Sequence, residues 1–324
     1  MNPYDLLNSE FKCECGLVHR VPVKKVVIEN SAIRLVPETL RELNLKGKIF
    51  LLADEVTYEV AGRALFSILE AEKYSVHTHI LKGKPRADDV TADALVRDCP
   101  SDIGIIISCG SGTITDLGKW VAFKRNLPQI AIATAPSMNG YASGIVALTR
   151  NGLKTTDTVN PPVAVIVDID ILKDAPIEMI RAGLGDLLSK CVCNADWKLA
   201  SIVKGGHFCK LPFELIHDLE KLYMKDAVGP LSEALVFSGI SMVLAGSSAP
   251  ASGGEHLISH FLDMCADLEG REHDLHGAQV GVATIATAKL YERLLRLNSN
   301  DIDKSAANSA WERSCVALKK CRKI

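Results

Sequence analysis

Three short segments in the second half of the chain combine carboxylates and histidines in a pattern that suits a metal ion. Asp186 follows Gly-Leu-Gly, and the segment His273–His276 ends in a histidine followed by glycine. His256 and His260 stand four residues apart, so both can project from one face of a helix. One carboxylate and two or three imidazoles suit a divalent ion such as Zn²⁺, with an open position for a substrate oxygen. Spacing alone leaves this site and ordinary surface or core histidines equally open.

A glycine-rich turn is the second chemical signal. It runs from Cys109 to Thr113, between a predicted strand and a predicted helix. Such a turn lets the backbone approach a phosphate, and the following helix supplies free N–H groups and a partial positive charge. The third glycine of the usual dinucleotide fingerprint is absent, and the candidate ribose-binding acid, Asp54, ends an earlier strand. We therefore expect phosphate binding outside the usual Rossmann arrangement, with a plain tight turn as the alternative.

Two C-x-C pairs, Cys13/Cys15 and Cys191/Cys193, look like halves of metal sites. Their spacing is not C-x-x-C, and no second half of matching form accompanies either pair. We therefore expect buried or unremarkable thiols rather than a dedicated cysteine metal site. The chain has 10 cysteines and no signal-peptide pattern near its start, which predicts reduced thiols in the cytoplasm.

The composition is that of a soluble globular protein. The 324 residues suggest two domains, and 48% hydrophobic with 23% charged residues is ordinary for such chains. The formal net charge of -2 leaves no basic field for nucleic acid. The longest apolar stretch, Ala234–Gly246, is shorter than the roughly 20 residues that span a bilayer. The sequence therefore predicts neither a nucleic-acid nor a membrane partner.

Short, continuously apolar runs in the first half predict buried strands separated by helices. This pattern is typical of a parallel sheet covered on both faces. The predicted strands are Lys48–Asp54, Tyr74–Leu81, Ile103–Ser108, Gln129–Thr134 and Val163–Asp168, with helices at about Tyr58–Lys73 and Asp89–Asp98.

Strand-like runs stop after about Lys173, and helical periodicity takes over. The predicted helices are Pro176–Val203, Glu233–Leu244, Glu255–Leu268 and His276–Leu297. We therefore predict an α/β domain over residues 1–172 and an all-helical domain over residues 173–324. In open α/β sheets ligands bind beyond the carboxyl ends of the strands, where the glycine turn falls.

Five motifs in one order carry a family resemblance that covers residues 25 to 290. They are Gly110–Lys119, Thr134–Ser143, Arg181–Leu188, Gly254–His260 and Leu275–Gly281. Together they resemble the metal-dependent polyol dehydrogenase superfamily of iron-containing alcohol dehydrogenases and glycerol dehydrogenases, and most of all the sn-glycerol-1-phosphate dehydrogenases. The resemblance implies a Rossmann-like dinucleotide-binding domain, a helical metal domain and a cleft between them, the architecture shared with dehydroquinate synthase.

The resemblance also assigns residues. It implies Asp186, His256 and His276 as metal ligands, for Zn²⁺ first and Ni²⁺ or Fe²⁺ as alternatives. It places His260 in the pocket as a proton relay. The implied contacts to NAD or NADP are Asp54, Gly110, Ser111, Gly112, Thr113, Asp116, Thr134 and Ser137. A carboxylate at Asp54 favours NAD, since it repels a 2′-phosphate.

Two matched positions carry a second interpretation. Asn139 stands where many relatives have Asp, in the loop that touches substrate and nicotinamide; it can hydrogen-bond a hydroxyl but cannot take a proton. We keep it as a catalytic candidate beside His260. Lys119 also matches the family motif, although an exposed helix lysine is the simpler interpretation.

The function implied is hydride transfer between glycerol 1-phosphate and dihydroxyacetone phosphate. A phosphate needs cationic partners, for which Arg150, Lys154 and Lys190 are candidates, each with a solvated surface charge as the alternative. A non-phosphorylated polyol such as glycerol is the second possible substrate, and a non-catalytic nucleotide- or metal-binding protein is the alternative of another class. A homodimer is compatible with the family, and the early end at Ile324 predicts a shortened helical domain.

Overall fold

Continuously apolar segments in the first half build one six-stranded parallel sheet, because such strands bury both of their faces. The computed structural model describes residues 2–223 and 228–298. Its strands are β1 (Ser9–Lys12), β2 (Val18–Val21), β3 (Lys25–Glu29), β4 (Lys48–Asp54), β5 (Val76–Leu81), β6 (Ile103–Gly110), β7 (Gln129–Ala133), β8 (Ile145–Arg150), β9 (Leu153–Thr158) and β10 (Ala164–Asp168). The sheet has the order β3-β10-β7-β6-β4-β5.

All the predicted strands are present, within two residues at each end. The prediction missed β3, a short edge strand that is charged at both ends and pairs in parallel with β10. It also missed the two antiparallel hairpins β1-β2 and β8-β9. The second turns through Asn151 and Gly152, which both have positive φ (48° and 75°). Asn-Gly between two strands is the strongest short hairpin signal, so this element was predictable.

Helices cover the sheet, and after β10 they are the only regular elements in the residues that the structure describes. They are α1 (Val36–Glu42), α2 (Glu55–Thr57), α3 (Arg63–Ala71), α4 (Asp89–Asp98), α5 (Gly112–Arg125), α6 (Ile169–Leu172), α7 (Ile177–Leu188), α8 (Lys190–Lys204), α9 (Lys210–Tyr223), α10 (Val228–Ala245), α11 (Gly254–Glu269) and α12 (His276–Leu294). The segment Tyr58–Gly62 between α2 and α3 is π-helical.

The helical half differs from its prediction in three places. The single helix predicted over Pro176–Val203 is two helices, α7 and α8, which meet at Ser189. Helix α9 was not predicted; it carries Pro212 in its first turn, where a missing N–H costs nothing. Helix α10 begins before the apolar stretch at Ala234 and reaches 18 residues, enough to cross a membrane by length and composition. However, 67% of it is buried inside the protein, as in a core helix.

The N-terminal hairpin packs on the helical half rather than on the sheet alone. Val21 and Leu6 share an apolar core with Phe237 and Leu235 of α10. The Tyr4 and Phe237 rings meet edge to face, with their centroids 4.9 Å apart. Residues up to Thr284 form one compact unit, and a second unit begins at Ile285. The predicted boundary at residues 172/173 stays a prediction about sequence character, which changes from strands to helices after Asp168.

The strand order places a ligand crevice at one point of the sheet. From β4 the chain moves outward to β5, and from β6 it moves in the opposite direction to β7. Ligands of open α/β sheets bind where this reversal occurs, at the carboxyl ends of the strands. Here those ends are Asp54 on β4 and Gly110 on β6.

Candidate metal centre and cofactor cleft

Three helices bring a carboxylate and two imidazoles together. Asp186 comes from α7, His256 from α11 and His276 from the start of α12, and one ligand atom from each lies within 4.8 Å of the other two. His256 Nε2 is 3.5 Å from Asp186 Oδ1. Asp186 and His256 are buried and His276 is half-buried. The predicted ligand set therefore converges in the folded chain.

Glycines allow these helices to approach closely enough. A Cβ on Gly183 would lie 1.7 Å from the carbonyl oxygen of Pro136, and one on Gly277 would lie 1.9 Å from the carbonyl oxygen of Ala182. Backbone atoms cannot move aside for such a group. Helix α7 therefore packs directly against the Pro136 loop and the start of α12, which places Asp186 beside His276.

Each histidine is oriented by a partner on its Nδ1 atom. His256 Nδ1 lies 2.7 Å from Glu255 Oε1, a fully buried carboxylate. Ser259 Oγ donates to Gln279 Oε1 (2.7 Å), so it can accept a hydrogen bond from His276 Nδ1, 3.2 Å away. Partners of this kind fix the tautomer that leaves Nε2 for a metal.

Asp186 lies in a shell of donors. Lys190 Nζ, itself fully buried, is 2.9 Å from Asp186 Oδ1. Asn139 donates its backbone N–H to Oδ2 (2.9 Å) and its side-chain amide to Oδ1 (3.3 Å). Burial opposes the charged carboxylate, but Lys190 and the two histidines hold the pKa of Asp186 well below its usual range.

The pKa values of the two imidazoles shift in opposite directions. Burial and the neighbouring His256 lower the pKa of His276 to about 3. Burial also disfavours the charged form of His256, but hydrogen bonds to Asp186 and Glu255 outweigh it and raise its pKa. An anionic carboxylate with two oriented imidazoles fits a divalent cation such as Zn²⁺.

A cleft of 340 Å³ opens beside this cluster, which is within the range of small-molecule sites. One wall is the glycine turn with Ser111, Gly112 and Thr113, and the other includes His256 and His276. Ser111 is the N-cap of α5, yet its side chain makes no capping hydrogen bond. Free N–H groups at this helix start therefore remain for an anion.

Comparison with known proteins places the chain in a family. Residues 27–176 match the family described as iron-containing alcohol dehydrogenase. A glycerol-1-phosphate dehydrogenase [NAD(P)+] of Bacillus licheniformis is 34% identical over 307 residues, which cover 89% of this chain and 76% of the relative. A protein of the same name from Pyrococcus furiosus is 33% identical over 278 residues, which cover 83% of this chain and 78% of the relative. The chain belongs to the iron-containing alcohol dehydrogenase family.

Comparison with solved structures shows the fold. A glycerol dehydrogenase from Schizosaccharomyces pombe superposes with a TM-score of 0.68 at 20% identity, over 82% of this chain and 71% of that one. An iron-containing alcohol dehydrogenase from Thermotoga maritima has a TM-score of 0.61 at 14% identity, over 81% and 76% of the two chains. The family and the fold predicted from the motifs are therefore confirmed.

Most of the site residues predicted from the sequence line the cleft beside the Asp186 cluster. Those that do are Ser111, Gly112, Thr113, Asp116, Ser137, Asn139, His256, His260 and His276. Gly110 and Thr134 are buried just behind the wall, where Thr134 N–H donates to the Gly110 carbonyl at 3.3 Å. Asp54 lies outside the cleft lining and caps α2 by accepting from Thr57 N–H at 2.7 Å.

The candidate cations separate into different environments. Lys154 lines the cleft. Arg150 pairs with Asp157 (2.9 Å) away from it, and Lys190 lies behind Asp186 rather than at a surface. Lys119 is fully buried, so its interpretation as an exposed helix lysine was wrong. It donates to the carbonyl of Gly140 (3.0 Å) and so ties the loop that contains Asn139 and Gly140 to α5.

Sequence reasoning missed one set of functional candidates and set another aside, since Cys13 and Cys15 were expected to be ordinary thiols. The partners of the histidines, Glu255 and Ser259, give no sequence signal beyond their place inside the matched motifs. A second cluster of potential metal ligands combines Cys13 and Cys15 with His19 and Cys209. The Cys-x-Cys-x-x-x-His spacing was visible in the first three, but the fourth is far away in the sequence.

Proposed function

We propose that this chain is a metal-dependent, NAD(P)-linked sn-glycerol-1-phosphate dehydrogenase that interconverts glycerol 1-phosphate and dihydroxyacetone phosphate. The observation that carries the proposal is that the Asp186 cluster and the glycine turn open on the same cleft. The names of the relatives support the substrate. The eight described cysteines are free thiols, which favours a reducing compartment such as the cytoplasm.

Asp186, His256 and His276 would hold the metal, with Zn²⁺ as the first candidate and Ni²⁺ or Fe²⁺ as alternatives. A bound divalent ion would supply Lewis-acid polarisation of the substrate oxygen. The N–H groups at the start of α5 would bind the cofactor pyrophosphate. Asp54, at the reversal point of the sheet, would accept hydrogen bonds from the ribose and favour NAD over NADP.

His260 is the proposed proton carrier. It lines the cleft, and burial together with the nearby charges of His256 and Lys154 lowers its pKa. A neutral imidazole can take the proton of the substrate hydroxyl during oxidation and return it during reduction. The side-chain amide of Asn139 donates to Asp186 Oδ1; we propose that it positions this carboxylate while facing the substrate.

Lys154 is the proposed phosphate partner. It reaches the cleft from β9, with its Nζ 3.9 Å from Asp263 Oδ2. Lys154→Ala should raise KM for dihydroxyacetone phosphate by about 10- to 100-fold, since a hydrogen bond to a charged group is worth about 1.5–3 kcal/mol. The rate with dihydroxyacetone should stay unchanged. Arg150→Ala is the matched control, and equal effects of the two variants would contradict the assignment of Lys154.

The proposed function itself is tested with freshly purified protein in two steps. Elemental analysis measures the metal, and NADH oxidation is followed with dihydroxyacetone phosphate and with dihydroxyacetone. We expect clear preference for the phosphate, loss of activity with a chelator and recovery with Zn²⁺, Ni²⁺ or Fe²⁺. Preference for dihydroxyacetone would favour a non-phosphorylated polyol as substrate. Metal and NADH binding without turnover of either would favour a non-catalytic protein.

A further inference from the structure

Four potential metal ligands converge far from the cleft, where the N-terminal hairpin meets the helical half. Cys13 and Cys15 lie in the turn between β1 and β2, His19 lies on β2, and Cys209 directly precedes α9. The four ligand atoms all lie within 4.8 Å of one another. His19 and Cys209 are buried, and the other two are half-buried. None of the four lines the cleft.

Three of the distances between these atoms are within about 0.3 Å of those in a tetrahedral zinc site. Zinc binds sulfur at about 2.3 Å and imidazole nitrogen at about 2.0–2.1 Å, so tetrahedral geometry separates two sulfurs by about 3.8 Å and sulfur from nitrogen by about 3.6 Å. Cys13 Sγ and Cys209 Sγ are 3.7 Å apart. His19 Nε2 lies 3.3 Å from both Cys15 Sγ and Cys209 Sγ. A disulfide would require about 2.05 Å between two sulfurs.

The local backbone supports ligating thiolates. The N–H of Leu17 donates toward Cys15, and that of Leu211 donates toward Cys209. In both cases the donor stands two residues after the cysteine. Hydrogen bonds to ligand atoms are the outer partners that metal sites commonly use.

We infer that Cys13, Cys15, His19 and Cys209 form a structural zinc site. Three cysteines and one histidine complete a tetrahedron, so no position remains for a substrate. The site ties the turn of the β1-β2 hairpin to the start of α9. The hairpin otherwise attaches through its apolar contacts with α10, including Val21 and Leu6. Its function is to fix the N-terminal segment on the helical half.

The test compares metal content of Cys15→Ser with that of Cys191→Ser. Cys191 belongs to the other C-x-C pair, is exposed and lies outside the cluster. We expect wild type and Cys191→Ser to retain one zinc equivalent more than Cys15→Ser. After exchange with Co²⁺, thiolate-to-cobalt charge-transfer bands should appear in the first two proteins and be absent in the third. Equal zinc content and equal cobalt spectra in all three would overturn the inference.

A second measurement needs no variant and so does not depend on folding of Cys15→Ser. Wild-type protein is alkylated with iodoacetamide, with and without prior zinc removal by a strong chelator, and the modified peptides are identified by mass spectrometry. Zinc should protect Cys13, Cys15 and Cys209, and removal should expose all three together. Alkylation independent of zinc, or a Cys13–Cys209 disulfide in the zinc-replete protein, would overturn the inference.

Discussion

The two candidate metal clusters of this chain offer different donors, which suit the different tasks proposed for them. The cluster of Asp186, His256 and His276 offers one oxygen and two nitrogens and stands beside a cleft. The cluster around Cys13 and Cys209 offers sulfur and nitrogen and has four members, which leaves nothing open. Three ligands with a free position characterise catalytic zinc, and four ligands characterise structural zinc.

The surroundings of the two clusters differ as well. The ligands at the cleft are fixed by buried charges, with Lys190 on Asp186 and Glu255 on His256. In the thiol cluster, the backbone amide of Leu17 points toward Cys15 and that of Leu211 toward Cys209. A buried charge left without its partner costs about 3–5 kcal/mol, whereas a lost amide hydrogen bond costs about 1–3 kcal/mol. Substitutions at the cleft should therefore affect both folding and activity, while those at the thiol cluster should affect the hairpin alone.

The largest effect should come from Asp186→Asn. The substitution leaves the Lys190 ammonium buried without a counter-charge, which should lower the free energy of unfolding by about 3–5 kcal/mol. It also removes a proposed metal ligand, so activity with dihydroxyacetone phosphate should disappear. Urea unfolding in the presence of a chelator measures the first effect, and NADH oxidation measures the second.

The double variant Asp186→Asn/Lys190→Met separates these two effects. Removing the buried cation should recover much of the lost stability, while activity stays absent. If the single variant unfolds at the same urea concentration as wild type, the ion pair is not needed for folding and the contrast between the clusters fails.

Glu255→Gln should have the next largest effect. The amide can still accept from His256 Nδ1 but lacks the charge, and loss of such a partner typically weakens metal binding by about 10- to 100-fold. Competition with a chromogenic zinc chelator measures this affinity. Glu272→Gln is the control, because Glu272 forms an exposed ion pair with Lys84. The thiol-bound zinc should be unaffected in both, and a weakened second site would contradict the independence of the two clusters.

Cys209→Ser should loosen the hairpin and leave the catalytic cleft intact. We expect faster amide exchange over Ser9–Val21 by at least about tenfold, equivalent to about 1.4 kcal/mol of local stability. Exchange over the sheet strands and kcat should stay as in wild type. Cys193→Ser is not a suitable control since that thiol is buried; Cys191→Ser is exposed and serves instead. A fall in kcat to the same degree as the exchange effect would show that the hairpin supports the cleft.

The same contrast explains what sequence alone could predict. The ligands at the cleft lie in motifs with close-packing glycines such as Gly183 and Gly277, and five motifs in order identified the family that spacing alone left open. No sequence motif contains the whole thiol cluster, because Cys209 is 190 residues away from His19 and only the fold brings them together. The other strands of the sheet were predictable from continuous apolar runs, whereas the edge strand β3 has charged residues at both ends and only three apolar residues between them. The break between α7 and α8 at Ser189 does not interrupt the apolar periodicity, so the sequence pattern predicts a single helix.

Asn139→Ala should have the smallest effect and decides what this residue does. Its side-chain amide donates to Asp186 Oδ1 at 3.3 Å, while its backbone N–H still holds Oδ2 after substitution. If Asn139 only positions the carboxylate, the substitution should weaken metal binding by about 1 kcal/mol, which is about fivefold in affinity. At saturating metal, kcat should then return to the wild-type value. A kcat that stays low at saturating metal would show that the amide contacts the substrate, and Asn139 would belong with His260 rather than with Lys190.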